Sequence, residues 1–298
     1  MQEYAIRTTK LTKTYEGKKV VNQLNLEVPR ESVFAFLGPN GAGKTTTIKM
    51  LLGLTKPSEG QIEILGEAQP NVLRIKEKIG YIPDNPEFYG YMTTEELVSF
   101  CKKLYKGWDD GLVTRVLELM EISPKVRSKH LSRGQKAAVA LALALGPKPE
   151  LLILDEPATQ FDPVKKQLFY RLLFEDVVGS GGTIFLATHQ LSEVERFADL
   201  AAFINKGKLV MVKHIDELKI SEKRIRVVFQ GEEPRDLEQW VGVRRVERQG
   251  KNTIITVGDN LDNVWIKVSK EPHFVLELID MDLEDIFIEH TGDGRPRM

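Results

Sequence analysis

Gly38-Pro39-Asn40-Gly41-Ala42-Gly43-Lys44-Thr45 is the stretch on which the reading of this chain turns. The run in front of it, Ser32-Val33-Phe34-Ala35-Phe36-Leu37, is short, apolar and closed by turn residues, as a buried strand is. Behind it, Thr45 to Leu54 has helical spacing, with Ile48, Leu51 and Leu52 on one face, until Pro57-Ser58-Glu59-Gly60 stops it. The same alternation continues downstream. Leu151-Leu152-Ile153-Leu154 reads as a buried strand closed by Asp155-Glu156-Pro157, and Lys165 to Val178 as a helix ending before Gly179-Ser180-Gly181-Gly182. Thr183 to Ala187 is another apolar strand and Leu191 to Phe197 another helix. Strand alternating with helix predicts an α/β sheet with crossover helices.

The opening stretch fits the P-loop pattern G-x-x-x-x-G-K-[ST], in the strand–loop–helix context that the pattern requires. Glycines let the backbone wrap phosphates and turn its N–H groups inward. Those groups, on Gly38 and on Asn40 to Thr46, and the helix N-terminus stabilise negative charge. Lys44 brings a cation to the β- and γ-phosphates, and the Thr45 hydroxyl is placed to ligate Mg²⁺. A glycine-rich turn that binds nothing has no need of Lys-Thr at this offset. The loop by itself says nucleoside triphosphate and leaves kinases, GTPases and several ATPase classes open.

Composition bounds the remaining choices. The chain has 298 residues, enough for about two domains, and an ordinary apolar fraction of 42%. Its net charge is −1, divided as −4 over residues 217–298 and +3 over the rest, so neither part has the charge for phosphate-backbone binding and no nucleic acid is expected. The single cysteine, Cys101, excludes an intramolecular disulfide framework and fits a reducing compartment. Met1 to Arg7 lacks the basic and apolar regions of a signal peptide, and the longest span candidate, Ala137 to Leu145, stops at Gly146-Pro147. The expectation is a soluble intracellular chain whose membrane role would need partners that supply the spans.

Thr8 to Val28 reads as short strands with a turn at Glu16-Gly17, and Gln61 to Leu65 as a strand. Thr93 to Tyr105 and Asp110 to Met120 read as helices, which makes residues 84–130 a mainly helical insertion. Past Asp216 the pattern changes: Arg224 to Gln230 and Asn252 to Val257 alternate as half-buried strands do, with helical patches between and after them. A boundary is therefore placed there, with 1–216 as one domain and 217–298 as a small α+β domain whose last residues, Gly292 to Met298, fray.

Leu131-Ser132-Arg133-Gly134-Gln135 precedes a long apolar helix, Lys136 to Leu145, and Phe161-Asp162-Pro163 and Thr188-His189 follow the Asp155-Glu156 strand. With the phosphate loop, five motifs in this order over residues 1 to about 216 resemble the nucleotide-binding subunit of ABC transporters. The resemblance implies a P-loop ATPase cassette: a mixed central sheet, an antiparallel β portion and a helical subdomain. It implies ATP and Mg²⁺ as ligands. It implies that Asp155 orients Mg²⁺, that Glu156 polarises the attacking water, and that His189 reaches the γ-phosphate. Read without it, the two acids close an apolar strand, which places a carboxylate beside the phosphate loop; the plainer alternative is that they cap the next turn, an alternative with more room at Glu156 than at Asp155. Ser132 is by itself a helix N-cap. By resemblance, Ser132, Gly134 and Gln135 face the ATP of a second cassette, Asp162 lies in the loop that touches that partner, and Tyr15 stacks on adenine rather than merely packing.

Three positions depart from the family pattern. Asp84 stands where Gln is usual; it either ligates Mg²⁺ or begins the next loop. Arg133 replaces a small residue at a helix N-terminus, where a cation opposes the dipole unless it points to solvent or phosphate. Thr159-Gln160-Phe161 differs from the common run, though Asp162 stays. The aromatic stretch Phe88, Tyr89, Tyr91 and Met92 either receives a short helix of a membrane subunit or packs within the insertion.

The expected activity is ATP hydrolysis by a subunit that dimerises around two ATP-Mg²⁺. It would drive separate permease chains from the inner face of the cell membrane. Export is favoured through a short resemblance at Met281 to Gly292. The alternative is an ABC-type ATPase acting on ribosomes or DNA, against which stand the single P-loop and the lack of a heptad insertion. A degenerate regulatory binder is opposed by intact Lys44, Asp155, Glu156 and His189.

Overall fold

A computed structural model describes residues 3–68, 75–258 and 260–291. The chain divides into two compact units, Met1–Gln190 with Phe197–Val212, and Leu191–Arg196 with Lys213–Met298.

The first unit opens with two twelve-residue strands, β1 (Tyr4–Tyr15) and β2 (Lys18–Pro29), paired antiparallel through Glu16-Gly17. Both turn residues have positive φ, as a tight two-residue hairpin demands. The expectation of several short strands is corrected here. Register shifts at four places in the pair break the period-two pattern without ending either strand. Next come β3 (Val33–Leu37), α1 (Lys44–Leu51), β4 (Glu59–Ile64), β5 (Glu67–Ala68) and β6 (Ile79–Ile82). The stretch 84–130 holds α2 (Thr94–Lys102) and α3 (Asp110–Leu119), and α4 (Arg133–Leu145) follows it. Thr93 caps α2 in a reciprocal capping box with Glu96, and Asp109 caps α3. β7 (Leu151–Asp155), α5 (Pro163–Asp176) and β8 (Thr183–Thr188) complete the alternation.

The helix expected from Leu191 to Phe197 is only α6 (Leu191–Val194). Phe197 packs on α5 instead, with its ring 5.0 Å from Tyr170 and 4.9 Å from Phe174. Two further strands, β9 (Leu200–Asn205) and β10 (Lys208–His214), follow.

Two sheets result. One has the order β2-β1-β4-β5; the other is β10-β9-β3-β8-β7-β6, with β9, β3, β8, β7 and β6 parallel. Every residue of β3, β7 and β8 is buried, which is why these strands read as unbroken apolar runs. Phe185 lies 5.9 Å from Phe34 and 5.4 Å from Phe36, ring to ring, in the middle of that core.

The second unit continues with α7 (Ile215–Ser221), β11 (Lys223–Phe229), β12 (Val243–Gln249), β13 (Asn252–Val257), α8 (Leu261–Lys270), β14 (His273–Asp280) and α9 (Leu283–Thr291). Its sheet is antiparallel, ordered β12-β13-β11-β14. Ile225, Val227, Ile255 and Val257 pack with Val264 and Val268 of α8 in a separate core. The expectation of a frayed Gly292–Met298 lies outside the described residues. Among the described residues no helix is long and apolar enough to cross a membrane.

Phe185→Ala removes a wholly buried ring between two others, so it should lower unfolding free energy by about 3–5 kcal/mol in urea titrations. A loss below about 1 kcal/mol would show that this core re-forms around the cavity.

Candidate functional site

Strand register builds the site. Leu37 lies opposite Thr188, Asp155 opposite Ala187, and Ile82 opposite Leu154. The carboxyl ends of β3, β8, β7 and β6 therefore share one edge, where open α/β sheets hold their ligands. From that edge leave the phosphate loop, Asp155-Glu156, Thr188-His189 and, two residues past β6, Asp84.

The loop's glycines answer to sterics. A Cβ on Gly38 would stand 2.3 Å from the Ile204 carbonyl oxygen. One on Gly43, whose φ is 110°, would stand 2.8 Å from that of Val20. The loop is tied internally by Ala42 N–H to the Pro39 oxygen at 3.1 Å and outwardly by Gly207 N–H to the Ala42 oxygen at 2.9 Å. Asn40, Gly41 and Thr45 are exposed, Pro39 and Thr46 half-buried.

Lys44 opens α1 and is only 6% exposed. Its ammonium donates to the Gly38 oxygen at 2.6 Å and the Pro39 oxygen at 3.4 Å, and lies 3.2 Å from Glu156 Oε1. The same Oε1 is 2.9 Å from His189 Nδ1. The other oxygen, Oε2, accepts from the Thr188 hydroxyl at 2.9 Å and the His189 N–H at 3.3 Å. Glu156 has a φ of 48°, held by its N–H donating to the Ala187 oxygen at 2.8 Å. Burial pushes the Glu156 carboxyl up, but His189, Lys44 and Thr188 outweigh it and leave the group below the usual carboxylate range.

Asp155 is 2% exposed. Burial raises its carboxyl, the Thr45 hydroxyl bonded to it opposes that, and the charges of Glu156 and Asp84 add to the rise. Tyr81 is pushed up to about 12 by burial and by the charges of Asp155 and Asp84. Asp84 is thus close enough for both groups to feel its charge, although its own side chain is exposed. The Oδ1 atom of Asp155 is buried with no hydrogen-bond partner. A bare carboxylate oxygen beside a hydroxyl is the hard-oxygen donor set that suits Mg²⁺.

The remaining predicted residues fall into two other places. Ser132 caps α4 in a reciprocal box with Gln135, the two bonds being 3.2 Å and 2.9 Å. Ser132, Gly134, Gln135 and Asp162 line one cleft of about 350 Å³, which neither Lys44 nor His189 lines. Asp162 caps α5, and the Lys165 and Val164 N–H groups hold its carboxyl below the usual range. Arg133 is exposed. Tyr15 ends β1, 46% exposed, with the Lys13 ammonium 4.9 Å from its ring centre.

Two residues escaped the sequence reading. In the sequence Thr188 is only the neighbour of His189; its buried hydroxyl gains a partner once β8 lies beside β7. Gln160 counted as a departure, yet a Cβ on Gly134 would stand 2.9 Å from its carbonyl oxygen, so this loop rests on the start of α4.

A family model described as ABC transporter matches residues 21–159. The bacitracin transport ATP-binding protein BcrA of Bacillus licheniformis is 35% identical, over 97% of this chain and 98% of that protein. The Nod factor export ATP-binding protein I of Rhizobium etli is 33% identical, over 97% and 93%. A solved structure titled as the ATP-binding subunit of an ABC transporter superposes with a TM-score of 0.67 at 27% identity, over 72% of this chain and 92% of that one. None of these three is described as acting on ribosomes or DNA.

Lys44→Ala should weaken ATP binding about 10–100-fold in equilibrium titrations, as loss of a charge-assisted bond to phosphate does. Unchanged affinity would remove the phosphate-loop assignment.

Proposed function

The chain belongs to the ATP-binding subunits of ABC transporters, a family of ATPases, and from that membership we propose how its residues divide the work. The observation that carries the reading is the Glu156 carboxylate, set between Lys44 at 3.2 Å and His189 at 2.9 Å on the edge that bears the phosphate loop. Phosphoryl transfer depends mostly on positioning and charge stabilisation. The loop from Gly38 through Pro39 to Thr46 wraps the phosphates of ATP, which the N–H groups of Gly38 and of Asn40 to Thr46 and the Lys44 ammonium hold. Phosphate oxygens compete with Glu156 for Lys44, so binding of the triphosphate releases Glu156 Oε1 toward water. Glu156, held ionised, accepts the proton of that water. His189 keeps the carboxylate in place and lends its imidazole to the γ-phosphate side.

Thr45 and Asp155 are the residues that would hold Mg²⁺, with Asp84 as a further oxygen ligand. Bound there, the ion neutralises charge on the phosphate oxygens. Tyr15, its ring exposed at a strand end, stacks on adenine.

The cleft of Ser132, Gly134, Gln135 and Asp162 is lined by neither Lys44 nor His189. We assign it to the ATP of a second cassette, so that two copies complete two sites. The capped N-terminus of α4 then supplies its N–H groups and dipole to a γ-phosphate across the interface. A groove of about 380 Å³, lined by residues including Leu51, Ile79, Phe88, Tyr105 and Leu143, receives a short helix of a permease subunit. Tyr89 and Tyr91 stand exposed beside that stretch, 5.9 Å apart, rather than packed inside the helical insertion. In this reading residues 1–216 form the cassette, on the inner face of the cell membrane, and 217–298 form an accessory domain. The export named for a relative favours the outward direction.

Glu156→Gln should bind ATP, hydrolyse it at least about a hundredfold more slowly and accumulate a dimer in ATP-Mg²⁺, read by light scattering after size exclusion. Wild-type turnover in this variant would overturn the assignment of Glu156. For Asp84, the test is the Mg²⁺ and Mn²⁺ dependence of hydrolysis in wild type and Asp84→Gln. The expected result is a changed preference; superimposable profiles count against a metal role.

A further inference from the structure

We propose that Thr188 is a positioning residue for hydrolysis: its hydroxyl fixes Glu156 Oε2 and leaves Oε1 as the oxygen that meets water. The inference rests on Glu156 being the base. Thr188 is the last residue of β8 and is 3% exposed. Its oxygen accepts the Gln190 N–H at 3.0 Å, and lies 2.9 Å from Glu156 Oε2. A hydroxyl carries a single proton. Gln190 supplies its own hydrogen, so the Thr188 proton is committed to the carboxylate.

The two carboxylate oxygens consequently differ in kind. Oε2 is held by Thr188 and by the His189 N–H, both part of the turn that closes β8. Oε1 faces the two side chains that bear on chemistry, Lys44 and His189. A carboxylate on a single-bond stem can rotate, and rotation would exchange these roles. The backbone of Glu156 is already anchored to β8 through the Ala187 oxygen. Thr188 adds the second anchor, at the far end of the same side chain. With both ends tied to one strand, the base presents one oxygen in one direction. Small misplacements of reacting groups cost large factors in rate.

Thr188→Val keeps the shape and removes the hydroxyl. Its kcat should fall about 10–100-fold while KM for ATP and ATP-driven dimer formation stay within about twofold. Thr188→Ser, which restores the hydroxyl, should recover kcat to within about threefold of wild type. In the Glu156→Gln background, Thr188→Val should cost nothing further, because the group it positions is gone; a structural role would add its loss again. If the Val variant does not fold, Thr188→Ala carries the same expectation. Retained kcat in a folded Val or Ala variant, or an additive loss in the double variant, overturns the proposal. The outcomes separate cleanly. If Glu156→Gln hydrolyses ATP normally, the reading of Glu156 falls. If it does not, and Thr188→Val does, only the role of Thr188 falls.

Discussion

The parallel pairing of β3, β7 and β8 is the constraint from which the site follows. These strands are buried on both faces, so their side chains can be apolar throughout and their backbone groups must pair with one another. The pairing leaves no freedom of register: Leu37 sits by Thr188 and Asp155 by Ala187. Residues far apart in the chain are thereby delivered to one edge within hydrogen-bonding distance. The phenylalanine cluster of Phe34, Phe36 and Phe185 locks the arrangement from within.

What the edge then carries is expensive. Lys44 and Glu156 are 6% and 11% exposed, and two charges taken out of water must be compensated by close geometry. Here each charge has several partners. Lys44 has two loop carbonyls as well as Glu156, and Glu156 has Lys44, His189 and Thr188. Such a pair adds little net stability compared with an apolar substitute, so its presence speaks for function. Asp155 Oδ1 and Glu156 Oε1 are both buried without a hydrogen-bond partner, but Oε1 has the Lys44 ammonium at 3.2 Å and the His189 ring at 2.9 Å.

The sequence was least legible where strands depart from strict alternation. In β12, Val-Arg-Arg-Val-Glu-Arg-Gln, the apolar residues Val243 and Val246 are three apart, and the register shifts between Val243 and Arg245. The bulge shifts the pattern by one residue, so a period-two search fails. β14 shows the same fault, with a shift opposite Val228–Phe229 that leaves Phe274, Val275 and Leu276 as a plain apolar triplet. At Leu191 to Phe197 the departure is of the opposite kind. Spacing suited a helix, but Phe197 serves a cluster with Tyr170 and Phe174, and spacing does not reveal which partner a ring will find.

By itself the sequence determined the kinds of chemistry and their order. The phosphate loop, the Asp155-Glu156 pair, the capped helix at Ser132 and the Thr188-His189 turn are local features, each set by the types of a few adjacent residues. Tertiary structure alone decided who meets whom. It set Glu156 between Lys44 and His189, gave Thr188 its carboxylate partner, and put Ser132 and Asp162 in a cleft that Lys44 does not line. The physical reason is that such contacts join residues far apart in the chain, as Lys44 and Glu156 are, more than a hundred positions from each other. Strand pairing and packing set those distances, and no local pattern of residue types encodes them.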